Sequence, residues 1–265
     1  MKPIALPLED EIHVWLIDEH QVFASLDVLD YLSLLSADEY ARYKRLQIAT
    51  HKRQFLLTRA AVRAMFSQYV PELMPSQWVF IQGARGRPEL NFAPLQGQMS
   101  FNISHARGML VIAVSAGGAL GVDVEWTERD CPVLALAERY FSTAEVEAMR
   151  ALPAACQRQR FFDLWTLKEA YVKARGLGLG IPLNSFGFEF GPQLIGVTFN
   201  NDTEKKCASH WQFWQSRVAH AHTLGLAYSG TNRKIVRRLQ AYTFIPLGPL
   251  APQSITLPLA VYAAS

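Results

Sequence analysis

The chain has 265 residues, 50% of them hydrophobic, enough to bury one large core or two modest ones and too many for a mainly disordered protein. Its net charge of +3 is mild, which argues against a dedicated duplex-DNA binder, so no nucleic-acid partner is expected. The acids Glu9, Asp10 and Glu11 precede any long apolar run and no uninterrupted apolar stretch reaches spanning length, so neither a secretory signal nor a membrane-spanning helix is expected.

The first predicted element is a strand over 13–17, followed by a helix over 37–46 with Ser36 as N-cap and a longer helix over 51–69. After the loop 83–88 come strands at 99–104, 110–115 and 120–125, separated by the turn formers Arg107-Gly108 and Gly117-Gly118. Helices follow over 143–150 and 157–175, the second ended by a loop carrying Gly176, Gly178 and Gly180. Strands are expected near 185–190, 194–199, 211–218 and 222–229. From Thr231 the chain carries Arg233, Lys234, Arg237 and Arg238, then Pro246, Pro249, Pro252 and Pro258, and the pattern assigns this stretch no role. The cysteines Cys131, Cys156 and Cys207 form no C-x-x-C pair, which disfavours a zinc site and a disulfide framework and suits a reducing, cytoplasmic setting.

Laid over itself at an offset of 106, the chain matches Ser36-x-x-Glu39 to Ser142-x-x-Glu145, Phe55 to Phe161 and Ala64 to Ala170. A slightly larger offset matches Ala113 and Ser115 to Ala227 and Ser229. That period far exceeds the roughly 20–50 residues of solenoids and points to two related lobes. The expected fold is α+β, a pseudo-two-fold repeat in which each lobe packs a long helix on a mostly antiparallel sheet. The lobes are expected at 1–118 and 119–230, with 231–265 as a C-terminal extension.

Charge is segregated. Arg42, Lys44, Arg45, Lys52, Arg53, Arg59 and Arg63 follow one another without an acid between them, whereas Asp123 to Glu147 holds seven acids against two arginines. A polyphosphate ligand could be gripped by the first pole and reached through a metal at the second, although a basic helix alone is equally well a solvated face. In Gly121-Val-Asp-Val-Glu125, period-two alternation sends Val122 and Val124 to the core and projects Asp123 and Glu125 together. Such a pair suits a hard divalent cation or a solvated strand face. In the helix, Trp165, Glu169 and Lys173 recur at four-residue spacing, so they share a face. That face could add a third carboxylate and a phosphate-neutralising lysine, or be an ordinary ion pair beside a core tryptophan.

Taken together, Gly86-Arg87-Pro88, Phe101-Asn-Ile-Ser-His105, Gly121-Val-Asp-Val-Glu125, Arg139-Tyr-Phe-Ser-x-x-Glu145 and Trp165-x-x-Lys-Glu-Ala-x-x-Lys173 with Gly176-x-Gly178 resemble the phosphopantetheinyl transferase superfamily. The resemblance is to its larger, monomeric, two-lobed type and covers about residues 36–190 well and 191–229 weakly. It implies transfer of the 4'-phosphopantetheine arm of coenzyme A to a serine of an apo acyl or peptidyl carrier protein, releasing adenosine 3',5'-bisphosphate. It further implies Mg²⁺ on Asp123, Glu125 and Glu169, with Lys173 on the phosphates; Glu169 is the expected general base, directly or through a metal-bound water, with Glu125 as the alternative. Ser104 and His105 would contact phosphate, and Gly86, Arg87 and Pro88 would form the adenine-side loop. Arg45 and Arg53, with Lys44 as substitute, are the choices for the 3'-phosphate. Leu177, Leu179 and Ile181 either offer the carrier an apolar surface or fold back onto the core. Two other classes stay open, a non-catalytic module that binds coenzyme A or carrier protein, and a metal-dependent hydrolase of nucleotide pyrophosphates.

Overall fold

Strand β1 (Glu11–Asp18) is buried on both faces, and its alternation decides what each face meets. Ile12, Val14 and Leu16 point into one apolar cluster, Trp15 and Ile17 into another, as expected for a strand covered on both sides. The computed structural model describes residues 4–83, 88–191, 194–200, 205, 208–219, 221–230 and 237–259. Within these, β1 lies at the centre of a five-stranded sheet, antiparallel to β5 (Met109–Ser115), which in turn pairs with β4 (Ser100–Ala106). A second, antiparallel sheet has the order β6 (Ala119–Trp126), β10 (His222–Ser229), β9 (Trp211–Val218). The two sheets share a core to which Val111 and Ala113 contribute from one side and Val122, Val124, Leu224 and Leu226 from the other.

Helices cover the outer faces. Helix α1 (Glu19–Ser25) is capped by Asp18, and α2 (Ala37–Arg45) starts with a capping box between Ser36 and Glu39. Helix α3 (Ala49–Tyr69) buries Leu56, Leu57, Ala60, Ala61, Met65 and Phe66 against Trp15, Ile112 and Val114. On the other side lie α4 (Val133–Tyr140), α5 (Thr143–Ala151) and α6 (Ala154–Arg175). Helix α5 opens on a second capping box, between Ser142 and Glu145. Helix α6 stops at Gly176, whose φ of 62° is a left-handed conformation that glycine adopts without a Cβ clash. Short hairpins pair β2 (Phe80–Gln82) with β3 (Pro88–Leu90) and β7 (Phe186–Phe190) with β8 (Ile195–Phe199).

The fold is thus mixed α and β, with helices over several sheets. The element order α2–α3–β2 recurs 106 residues later as α5–α6–β7, to within a residue at each start. The sheet orders β1-β5-β4 and β6-β10-β9 follow the same connectivity. Sequence patterning missed α1, α4, β3 and the contribution of the tail. Residues 238–255 extend the first sheet, with β11 (Arg238–Thr243) parallel to β1 and β12 (Gln253–Ile255) at its edge. No helix of the described residues is long and apolar enough to cross a membrane.

Candidate functional site

Two glycines let α6 settle onto the second sheet. A Cβ on Gly121 would meet the Ala170 carbonyl oxygen at 2.0 Å, and one on Gly225 would meet the Thr166 carbonyl at 2.7 Å. Gly225 lies directly opposite Asp123 in the ladder between β6 and β10. The helix backbone therefore rests on bare strand beside Asp123, and its side chains reach into the space where the strand's acids emerge.

Asp123 is buried, and its Oδ1 accepts from Ser104 Oγ at 2.9 Å and from Lys173 Nζ at 2.7 Å. Lys173 also donates to Ser104 Oγ at 2.9 Å and to the Val122 carbonyl at 3.1 Å, so its three N–H groups are satisfied. Ser104 Oγ further accepts from the Val124 amide, 3.2 Å away, and ties β4 to β6. The Oδ2 of Asp123 is buried without a hydrogen-bond partner.

Glu125 accepts from the Trp165 side chain, and Arg129 Nη1 lies 3.4 Å from its Oε2. Burial and then the charge of Asp123 push its pKa up to about 7, against the pull of Arg129, Lys173 and Trp165. Glu169 is raised for the same two reasons, with Lys173 opposing. Arg158 on α6 donates to the carbonyls of Thr127, Arg129 and Cys131, clamping the loop that carries Arg129. Trp165, expected on a partly buried face, packs on the core around α6 beside Phe141 and Phe161 as well as meeting Glu125. Sequence reasoning passed over Arg129 and Arg158, because an arginine in a loop or mid-helix gives no sequence signal of what it will hold.

His105 follows Ser104 at the end of β4 and is exposed as a residue. Its ring still lies close enough to protein that desolvation, then Lys173, lower its pKa, with His51 at the start of α3 adding to the effect and Asp123 opposing. His51 was missed because a lone histidine at a helix start is unremarkable. Arg45 ends α2 exposed, and Arg53 on α3 stacks over Phe23 at 5.6 Å; neither contacts the Asp123 cluster in any described interaction. Pro88 opens β3 opposite Gln82. Gly86 and Arg87 lie outside the described residues. Past α6, Leu177 is exposed and Ile181 packs on the core around α6, whereas the Leu179 side chain lies outside the described set.

Residues 119–227, which contain β6, α6 and β10, match the family described as the 4'-phosphopantetheinyl transferase superfamily. The transferase HetI of Nostoc sp. is 34% identical over 65% of this chain and 71% of its own length. The chain belongs to the 4'-phosphopantetheinyl transferase family. Sfp of Bacillus subtilis is 31% identical, covering 59% of this transferase and 66% of that protein. Psf-1 of Bacillus pumilus, also called a 4'-phosphopantetheinyl transferase, is 31% identical over 57% of this transferase and 62% of its own length.

Among the described residues no group of three or more His, Cys, Asp or Glu side chains converges closely enough to hold a metal ion. In this transferase Lys173 takes one Asp123 oxygen and the Trp165 side chain donates to Glu125. The donor chemistry nevertheless fits a hard cation. All three acids offer oxygen only, both glutamates are held in desolvated surroundings, and Asp123 Oδ2 is a buried acceptor with nothing on it.

Proposed function

We propose that this transferase moves the 4'-phosphopantetheine group of coenzyme A to a serine of an apo acyl or peptidyl carrier protein and works as a cytoplasmic monomer. The observation that supports this most directly is the junction of Ser104, Asp123 and Lys173, with Glu125 and Glu169 alongside, where α6 crosses β6. In this reading the two halves, 1–118 and 119–230, are pseudo-symmetric lobes. The first takes the nucleotide through Gly86, Arg87, Pro88, His105 and the basic residues Arg45 and Arg53, and the second carries the reacting end.

Asp123, Glu125 and Glu169 would hold Mg²⁺, which when bound offsets the negative charge of the pyrophosphate. The serine oxygen forms a bond to the β-phosphorus as the bond from that phosphorus to the bridging oxygen breaks, and adenosine 3',5'-bisphosphate leaves. Glu169, raised in pKa and facing the same space, accepts the hydroxyl proton. Lys173 meets the charge that builds on the leaving oxygens. Ser104 keeps Asp123 and Lys173 in register through its bonds to both.

Intact-mass spectrometry of an apo carrier protein incubated with the transferase, coenzyme A and Mg²⁺ tests this. The expected result is a gain of ~340 Da, one phosphopantetheine, that EDTA abolishes and that Asp123→Asn, with unchanged circular dichroism, lowers by two orders of magnitude or more, on the order of 3 kcal/mol. Release of adenosine bisphosphate without any gain on the carrier would instead identify a hydrolase. Coenzyme A binding with neither product would identify a binding module.

A further inference from the structure

The carboxylate best placed to receive a divalent cation already has a cation of its own. Asp123 exposes 8% of its side chain, and Lys173 Nζ holds its Oδ1 at 2.7 Å. An ionised carboxylate withdrawn from water needs such a partner, since the uncompensated charge costs several kcal/mol. Lys173 is itself 28% exposed, and its remaining two N–H groups go to Ser104 and Val122. It is therefore anchored on Asp123 while more than a quarter of its side chain stays exposed to solvent. A second cation entering the same carboxylate cluster meets an ammonium a few ångströms away, and the repulsion between a monovalent and a divalent charge at ~5 Å is several kcal/mol even at an effective dielectric constant of about 20.

We propose that Lys173 acts as a loading gate, opposing the divalent cation at Asp123 until the pyrophosphate of coenzyme A draws its ammonium away. The inference rests on the reading that the cation binds through Asp123, Glu125 and Glu169. An anion that offers Lys173 a better partner frees Asp123 Oδ1 and removes a positive charge from the cluster. Cation and coenzyme A then bind with positive coupling, and by linkage each tightens the other by the same factor. Arg129 has no comparable hold on Glu125. It lies 3.4 Å away with 42% of its side chain exposed, where solvent screens it.

The test is direct binding of Mn²⁺, followed by electron paramagnetic resonance without coenzyme A, to the wild type, Lys173→Met, Lys173→Arg and Asp123→Asn. Removing the gate's charge should tighten Mn²⁺ binding by about tenfold or more, while Lys173→Arg stays near the wild type. Adding coenzyme A should tighten binding to the wild type more than to Lys173→Met. Lys173→Gln, which removes the charge but still donates hydrogen bonds, replaces the methionine variant should that one fail to fold. Unchanged or weaker Mn²⁺ binding in the neutral variants, in a protein whose binding Asp123→Asn abolishes, would overturn the gate and leave the metal site standing. Wild-type Mn²⁺ affinity in Asp123→Asn would remove the metal-site reading itself, and the gate with it.

Discussion

Lys168 and Lys173 leave the same helix little more than one turn apart and are held in opposite ways. Where Lys173 reaches a partly open site, Lys168 is fully buried, 2.8 Å from Glu145, and donates to the carbonyls of Leu183 and Phe186. Glu145 in turn accepts from Ser142 at the start of α5 and from the Phe188 amide. One ion pair thus joins α5, α6 and the β7 hairpin inside an aromatic shell of Phe141, Phe186 and Phe188. Burial depresses the Lys168 pKa while Glu145 props it up. Because removing one partner strands the other charge, Lys168→Met should cost about 3–5 kcal/mol in urea unfolding, and Lys168→Met with Glu145→Gln should cost less than the sum of the single changes. A loss below about 1 kcal/mol for the single variant would show that the pair is solvated and does no such joining. The first half has a counterpart in Glu39, which pairs with Arg63 at 2.8 Å and Arg59 at 3.0 Å.

At the scale of the element, the approach of α6 to its sheet fixes how far Glu169 and Lys173 stand from Asp123. Gly225→Ala puts a methyl group against the Thr166 backbone, which has no flexible end to yield, so the helix must lift. The expected result is a fall of about 10–100-fold in kcat/KM, from misplacement on the order of an ångström, with a stability loss of about 1–3 kcal/mol. Gly196→Ala on β8, whose added carbon would find its nearest neighbour at 3.9 Å, should change neither. Normal turnover in Gly225→Ala would mean that the site tolerates a raised helix. Little of this was visible in the sequence. The alternation of Val122, Asp123, Val124 and Glu125, the Trp165–Glu169–Lys173 stripe and the stop at Gly176 are local patterns, and each lies where it was expected. Gly225 carries only the information that something comes close, not that the neighbour is α6, and the Lys168–Glu145 pair joins residues whose meeting depends on tertiary packing. For the basic residues Arg45 and Arg53, charge alone leaves a ligand pole and a solvated face equally open; among the described contacts the Arg45 carbonyl accepts from the Gln47 side chain and the Arg53 guanidinium lies over the Phe23 ring.

For the molecule as a whole, an early strand and a late one, β1 and β11, are paired in one sheet, and a buried histidine sits at the seam. Strand β11 runs parallel to β1, Gln240 donates to Glu11 at 2.6 Å, and Tyr242 stacks on Trp15 at 4.8 Å. Next to these, His13 is 2% exposed, shares a 2.9 Å hydrogen bond with the Tyr69 hydroxyl and leaves Nε2 without a bond, 3.7 Å from Glu11. Desolvation lowers its pKa more than Glu11 raises it, while burial keeps Tyr69 and Tyr242 neutral. The folded protein therefore binds this proton less readily than the unfolded chain, whose histidine titrates near about 6.5. The contribution of His13 is complete above that pH and is lost as pH falls through the folded-state value. Glu19, Glu125 and Glu169 have raised pKa values and act in the opposite sense, gaining stability on acidification. The informative quantity is consequently the difference between the wild type and His13→Gln in urea midpoint, followed from about pH 7.5 to 5.5 across the unfolded-state pKa. That difference should narrow as the pH falls, because only the wild type loses the histidine's contribution; parallel profiles would show that the seam admits a protonated ring.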